Sequence, residues 1–311
     1  MNKPLVAVVV GPTASGKTSL AIELAKLFDG EIVSADSMQI YKGMDIATAK
    51  PTEEEKEGIP HHLISIIGAD EDFSVNQFKL KATEAIESIV ARGKLPIVAG
   101  GTGFYVDTLV NNTEFLDYEK NDIRAKLEER KETEGIASLL KELEGIDPEA
   151  AVKLHGNDVK RIIRALEVYY STGQTISEQC RLSHLNESPY RFCIIGINAK
   201  DRQLLYDRIN QRVDLMLEAG LIGEAERFFS SEISKTAKQA IGYKELKPYL
   251  DSLCTLEEAT EKLKKETRRY AKRQLTWFRK RDGINWIYID GKTKSEIVSE
   301  AERIIREHTH Q

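Results

Sequence analysis

Cysteine is scarce in these 311 residues: Cys180, Cys193 and Cys254 stand far apart, with no Cys-x-x-Cys pair. That spacing excludes a disulfide framework and a zinc module, and it makes a reducing cytoplasm the natural setting. Long apolar runs are missing too. The N-terminal run, Leu5 to Val10, is six residues long, too short for a membrane span or a signal peptide. No internal repeat and no low-complexity tract interrupts the chain. A hydrophobic fraction of 41% still suffices for a real core, either one large α/β domain or a core with one insertion.

The short apolar run leads directly into Gly11-Pro12-Thr13-Ala14-Ser15-Gly16-Lys17-Thr18, and a helical pattern (Leu20, Leu24, Leu27, Phe28) follows. Strand, G-x-x-x-x-G-K-[ST] and helix in that order make a phosphate loop. Gly11 and Gly16 let backbone amides turn toward a phosphate, and the helix N-terminus adds its dipole. Lys17 contributes a point charge, and the Thr18 hydroxyl can ligate Mg²⁺. A di- or triphosphate is the expected ligand. Strands are expected at 31–35, 62–67 and 95–99, with a helix opened by the capping box Ser74/Gln77 between the last two. This alternation predicts an α/β fold with a P-loop NTPase-like parallel sheet.

Two further absences narrow the chemistry. The 95–99 strand does not end in the aspartate of a Walker-B strand, so the loop can hold a diphosphate without cleaving a γ-phosphate. Gly100-Gly101-Thr102-Gly103 lacks the third glycine of a dinucleotide fingerprint. Asp36 lies just past the second strand, near the ligand crevice of a doubly wound sheet. It can serve as a general base, a Mg²⁺ ligand or a turn cap. His61 and His62, adjacent on a strand, point to opposite faces and cannot share one ion.

From about 112 to 189 strand-like runs vanish and charged helical segments follow at 121–134, 136–144, 148–154 and 158–170. The expected organisation is a core of 1–112 and 190–311 carrying a helical insertion, 113–189. A β-run at 191–197, a helix capped by Asp201, a long helix opened by Thr255/Glu258, a strand at 286–289 and a terminal helix complete the core. The net charge of −5 hides an asymmetry: 262–281 carries ten Lys/Arg against Glu266 alone, a charge of +9 that leaves −14 on the rest. Solvated helices normally mix signs, so nucleic-acid backbone is the better partner. Leu256, Ala259, Leu263, Tyr270 and Trp277 would be its buried stripe, leaving Lys265, Arg268, Arg269, Lys272 and Arg273 to solvent. In 157–164, Val159, Ile162 and Ile163 mark a core face with Lys160, Arg161 and Arg164 outside it. Arg208 and Arg212, four apart on one helix, could clamp a diphosphate or pair with Asp207, Asp214 or a nucleic-acid phosphate. The spacing leaves these open.

These blocks resemble the tRNA dimethylallyltransferase (tRNA isopentenyltransferase) family in its bacterial form. The resemblance is carried by Gly11 to Thr18, Ser34-Ala-Asp-Ser-Met-Gln-Ile-Tyr41 through Pro51, Pro60-His-His-Leu63 and Gly100-Gly-Thr-Gly-Phe-Tyr105. Asn157 to Val168, Ala240-Ile-Gly-Tyr-Lys-Glu245 and Arg268-Arg-Tyr-Ala-Lys-Arg-Gln-Leu-Thr-Trp-Phe-Arg279 continue it, in order over nearly the whole chain. It implies transfer of a dimethylallyl group from dimethylallyl diphosphate to the N6 amine of the adenosine 3′ to the anticodon. Gly11, Thr13, Ala14, Ser15, Gly16, Lys17 and Thr18 would hold the leaving diphosphate and its Mg²⁺, with Thr18 the metal ligand. Asp36 resembles the base, Thr102 the residue near the amine, and Arg208 or Arg212 the diphosphate arginine. Asp36, Ser37, Met38 and Gln39 would hold the flipped adenine. Lys160, Arg161 and Arg164, with Lys265, Arg269, Lys272 and Arg273, would grip the tRNA anticodon stem-loop. Eukaryotic relatives append a zinc finger; this chain ends without one, so no zinc is expected, nor a membrane partner, and a monomer is. An adenylate isopentenyltransferase would need neither the insertion nor the +9 helix, and a small-molecule kinase would need a γ-phosphate site.

Overall fold

The computed structural model describes residues 3–115, 121–185 and 187–309. Two compact units divide the chain, 1–109 with 189–311 and 110–188.

The larger unit is built on six parallel strands: β1 (Leu5–Val10), β2 (Gly30–Ser34), β3 (His61–His62), β4 (Leu95–Gly100), β5 (Arg191–Asn198) and β6 (Ile284–Tyr288). Their order across the sheet is β3-β2-β4-β1-β5-β6. Both faces are covered, which is why the strands read as unbroken apolar runs rather than alternating ones. Val6 to Val10 are wholly buried. On one face Ala7, Val9, Ile97 and Ile195 pack with Leu20, Leu24 and Ile305 of the helices Lys17–Leu27 and Lys294–Thr309.

Parallel order brings the carboxyl ends of β2, β4 and β1 side by side. The ladder continues past the strands, with the Ala35 amide donating to the Ala99 carbonyl at 2.9 Å and the Thr102 amide to the Ala35 carbonyl at 3.2 Å. A side chain at Gly100 would place its Cβ 2.2 Å from the Ala35 carbonyl oxygen. The position where a Walker-B carboxylate is absent therefore has no room for any side chain.

Some expectations fail locally. The strand expected at 62–67 stops after His62, because Leu63 and Ser65 take positive φ (63° and 53°) and turn the chain out of the sheet. Five α-helices among the described residues went unread: Glu53–Lys56, Gly103–Val110, Ile176–Leu185, Leu221–Phe229 and Tyr243–Leu250. The capping boxes at Ser74 and Thr255 and the Asp201 cap are present.

The smaller unit is helical: Ile123–Glu134, Ile136–Ile146, Pro148–Ala151, Val159–Thr172 and Ile176–Leu185. Leu127, Leu139, Leu143, Ile162, Ile163 and Leu166 form its core, with Val159 packed at the edge. The buried carboxylate of Asp147 accepts from the amides of Ala150 and Ser177, both at 3.0 Å, tying three of its helices together. Lys160, Arg161 and Arg164 are exposed, the last two 3.5 and 3.1 Å from Asp158 and Glu167. No helix among the described residues is long and apolar enough to cross a membrane.

Candidate active site

The strand ends open onto a cavity of about 350 Å³ in the larger unit. Its wall carries Lys17, Thr18 and Arg212, the turn Asp36 to Gln39, and Tyr270, Arg273 and Gln274 from the helix Leu256–Phe278, which closes it. Ala21, Ile32, Ile64, Val213 and Leu263 add apolar stretches to the wall. A more open cleft of about 1030 Å³ lies along the outer side of the phosphate loop, where Ala14, Gly16 and Arg208 are found. It shares Lys17, Thr18 and Arg212 with the cavity.

The loop is shaped by contact and by charge. A Cβ at Gly11 would stand 2.4 Å from the Ile197 carbonyl oxygen, so only glycine lets β1 leave the sheet beside β5. No side chain caps the helix Lys17–Leu27, whose first turn is thus left with unsatisfied N–H groups. The Ser15 hydroxyl is buried without a partner. Burial pushes the Lys17 ammonium down to about 8, against a partly offsetting attraction from Asp36, and Arg212 adds repulsion. Burial and Arg208 likewise disfavour the charged form of Arg212. Among the described residues no carboxylate lies within ion-pair distance of Arg208 or Arg212. The candidates are taken, Asp214 by Lys264 at 2.8 Å and Asp207 by Gln203 at 2.8 Å. Half-buried Lys17 and Arg212, idle amides and the orphan Ser15 hydroxyl meet at one point, a set of groups chemically suited to an anion.

Asp36 faces this cluster across the cavity. One of its oxygens accepts from the Met38 amide at 2.9 Å, so the turn-cap role is real, and it coexists with lining the cavity. Thr102 stands behind the turn rather than on the cavity wall. Its hydroxyl accepts from the Ser37 amide at 3.0 Å and lies 3.2 Å from Ser37 Oγ. Gln39 lines the cavity with its carboxamide engaged: Oε1 accepts from Ser34 Oγ at 3.1 Å, and Nε2 donates to the Thr48 and Ala49 carbonyls at 3.2 and 3.3 Å. The Thr13 amide is withdrawn from phosphate binding as well, donating to Gln274 Oε1 at 2.8 Å, while its hydroxyl accepts from Arg212 at 3.4 Å.

Gln274 is the residue that motif reading missed. Its Nε2 donates to the Gly101 carbonyl at 3.0 Å, so one buried amide bridges the phosphate loop and the Gly100–Gly103 loop. Glu224 was missed too. Buried at 3% exposure, it accepts from the amides of Asp45, Ile46 and Ala47 (2.8, 2.8 and 2.9 Å) and from Tyr243 Oη at 2.8 Å. It thereby fixes the segment that lines the cavity at Ala47 to Ala49. Neither residue carries a spacing signal; each is one polar letter in a helix.

On the helix Leu256–Phe278 the buried positions are Ala259, Leu263, Ala271, Gln274 and Phe278. Tyr270 is half-buried, and Trp277, expected in the core, is 39% exposed. The stripe drifts because the helix rests on the two loops over its second half, and they want Gln274 inward. Lys265, Arg269 and Lys272 face solvent. Arg273 is exposed yet also lines the cavity, packed 5.7 Å from the Tyr270 ring centroid. Arg268 is held by Asn210 at 2.5 Å. His62 is bound to Glu31 at 2.8 Å, and His61 bonds the Ile59 carbonyl at 2.8 Å and lines the cavity.

Residues 39–281 match the family model described as IPP transferase. The chain belongs to the IPP transferase family. It is 54% identical over 288 residues to a tRNA dimethylallyltransferase of Acetivibrio thermocellus, covering 92% of both chains. It is 45% identical over 301 residues to one of Bacillus anthracis, covering 96% of this chain and 95% of that one. Among solved structures, the tRNA delta(2)-isopentenylpyrophosphate transferase of Staphylococcus epidermidis is 43% identical with a TM-score of 0.72, over 98% of this chain and 100% of that one. A eukaryotic dimethylallyltransferase acting on tRNA is 30% identical with a TM-score of 0.83, over 98% and 80%.

Proposed function

We propose that this IPP transferase is a tRNA dimethylallyltransferase. It transfers the dimethylallyl group of dimethylallyl diphosphate to the exocyclic N6 amine of the adenosine 3′ to the anticodon, releasing diphosphate. The observation that carries the reading is one cavity with an anion site at one end, a carboxylate facing it and an apolar wall between. The names of the relatives support the same reaction.

The diphosphate lies against the free amides of 16–18, with Lys17 and Arg212 as its cations. Arg212, which lines both the cavity and the cleft, is the diphosphate arginine; Arg208, confined to the cleft, stands at its mouth. Negative charge grows on the diphosphate as the allylic C–O bond breaks, and donors already fixed there favour the transition state over the ground state. The five-carbon group rests on Ile32, Ile64 and Val213. The adenine, extruded from the anticodon loop, enters over Ser37 and Met38. Its amine becomes acidic only as the new C–N bond forms, and the second oxygen of Asp36 then accepts the proton. Thr102 acts through Ser37, holding the turn that aims Asp36. The Thr18 hydroxyl beside the anion site and the orphan Ser15 hydroxyl suit a Mg²⁺–diphosphate complex, with Thr18 the protein ligand. Bound there, Mg²⁺ neutralises charge on the leaving group.

The test is incubation of the enzyme with dimethylallyl diphosphate and either an anticodon stem-loop RNA or AMP, followed by mass spectrometry of the nucleosides. Prenylation of the RNA adenosine and not of AMP is expected. AMP turnover matching the stem-loop would overturn the tRNA assignment, and robust ATP hydrolysis would revive the kinase reading.

A further inference from the structure

Trp277 is exposed where a core residue was expected, and everything around it holds the ring still. Its Nε1–H donates to Asp107 Oδ2 at 2.6 Å, and the other Asp107 oxygen accepts from Arg281 at 2.6 Å. Gly103 lies so close that an added Cβ would stand 2.3 Å from the indole Cδ1. The Phe104 ring, 48% exposed, meets the indole edge-on at 6.4 Å. The polar edge of the indole is therefore satisfied internally while 39% of the residue remains open.

The surroundings identify what the open face suits. Arg269, Arg273 and Trp277 follow at spacings of four, so they share one helix face, and Lys280 lies in the turn just past the end of that helix; all four are exposed. Arg273 and Lys280 have no carboxylate within ion-pair distance among the described residues. An aromatic ring set within a row of cations is the arrangement that binds single-stranded nucleic acid, through stacked bases and tracked phosphates. The location adds a reason. Trp277 lies about 5 Å along the helix from Arg273 and Gln274, which line the cavity. When one nucleotide is extruded into that cavity, its neighbour loses a stacking partner.

We propose that Trp277, with Phe104 buttressing its edge, is a stacking platform for a base flanking the extruded adenosine. The inference rests on the tRNA reading above and adds a site to it. A platform already fixed by Asp107 and Gly103 loses little entropy on binding, so the stacking contributes nearly in full.

The experiment uses Trp286→Phe protein, in which Trp277 is the sole tryptophan, titrated with an anticodon stem-loop RNA while fluorescence is followed. Saturable quenching is expected. In the otherwise wild-type protein, Trp277→Ala should weaken stem-loop binding about 5- to 150-fold, the range for losing one stacked base. The slope of log K against log salt should stay unchanged, since no phosphate contact is lost. Trp277→Phe keeps the ring without the Nε1–H bond and should retain most of the affinity. If that bond merely braced the fold, Phe would be as damaging as Ala, and the proposal would fall. It would fall equally if RNA left the fluorescence unchanged and Trp277→Ala bound RNA like the wild type. Failure of the wild-type enzyme to prenylate the stem-loop would instead overturn the functional reading itself.

Discussion

Lys17 makes donor binding fall with pH in a window where little else changes. Burial sets its ammonium at about 8 in the free enzyme, and an adjacent diphosphate would raise it well above that by favouring the charged form. Between those two values, binding the donor takes up one proton, and affinity follows the protonated fraction of the free lysine. That fraction drops from about three-quarters at about pH 7.5 to about 3% at about pH 9.5. The expected loss is roughly 25-fold, or about 1.9 kcal/mol. The donor's own last protonation, near pH 6, lies below the window, and burial holds the Tyr270 phenol above it. Folding stability moves the opposite way. From about 8 to the ordinary 10.5 the unfolded chain carries a proton that the folded chain does not. Stability of the free enzyme therefore rises with pH across that interval, by at most about 3 kcal/mol, and is lost as pH falls through it. Calorimetric titration with dimethylallyl diphosphate across the window measures the binding arm, with Lys17→Ala as the reference. That variant should bind weakly and show a flat profile. A flat wild-type profile, or an equal slope in the variant, would refute the reasoning.

Asp36→Ala should lower turnover on the order of 10²-fold or more while stem-loop affinity holds; collapsed affinity with normal turnover of bound RNA would remove its role as base. Replacing Lys265, Arg269 and Lys272 by Ala should weaken RNA binding and reduce the log K–log salt slope by about 2, with donor titrations unchanged. Arg273→Ala, reaching into the cavity, should alter both. Glu224→Ala strands three backbone donors and should cost about 2–4 kcal/mol in urea denaturation; an unchanged midpoint would show that the 45–47 segment is held by something else.

Local signals carried the strands, the phosphate loop and most long helices, because each rests on contiguous residues: an apolar run, two glycines, a capping box. The phosphate-loop residues that line the cavity were legible for the same reason. Gln274 and Glu224 were not, since their partners lie far away in sequence and nothing in a single polar letter says which loop it will meet. Trp277 was misread because helical periodicity reports the average face of a helix. Here two loops set the packing over the second half and rotate the buried stripe toward Gln274. The 62–67 segment reads as a strand by composition, but two left-handed residues end it, and neither Leu63 nor Ser65 announces that conformation. Arg273 fitted the solvent-facing periodicity and lines the cavity all the same, which only the closure of the helix over the sheet could reveal.

The bond from Thr13 to Gln274 joins residues 261 positions apart, and β1 lies between β4 and β5. In a nascent chain the phosphate loop therefore emerges 261 residues ahead of the side chain that bridges it. Until residue 274 has left the ribosome, the Thr13 amide has no partner and the cavity lacks the wall that Tyr270 and Arg273 supply. Contacts of such long separation also slow folding, since loop closure must precede any gain from them. Premature termination anywhere before that helix would yield a protein with an intact Gly11–Thr18 signature and an unfinished site. Synthesis itself thus withholds the finished cavity until the helix Leu256–Phe278 has been made.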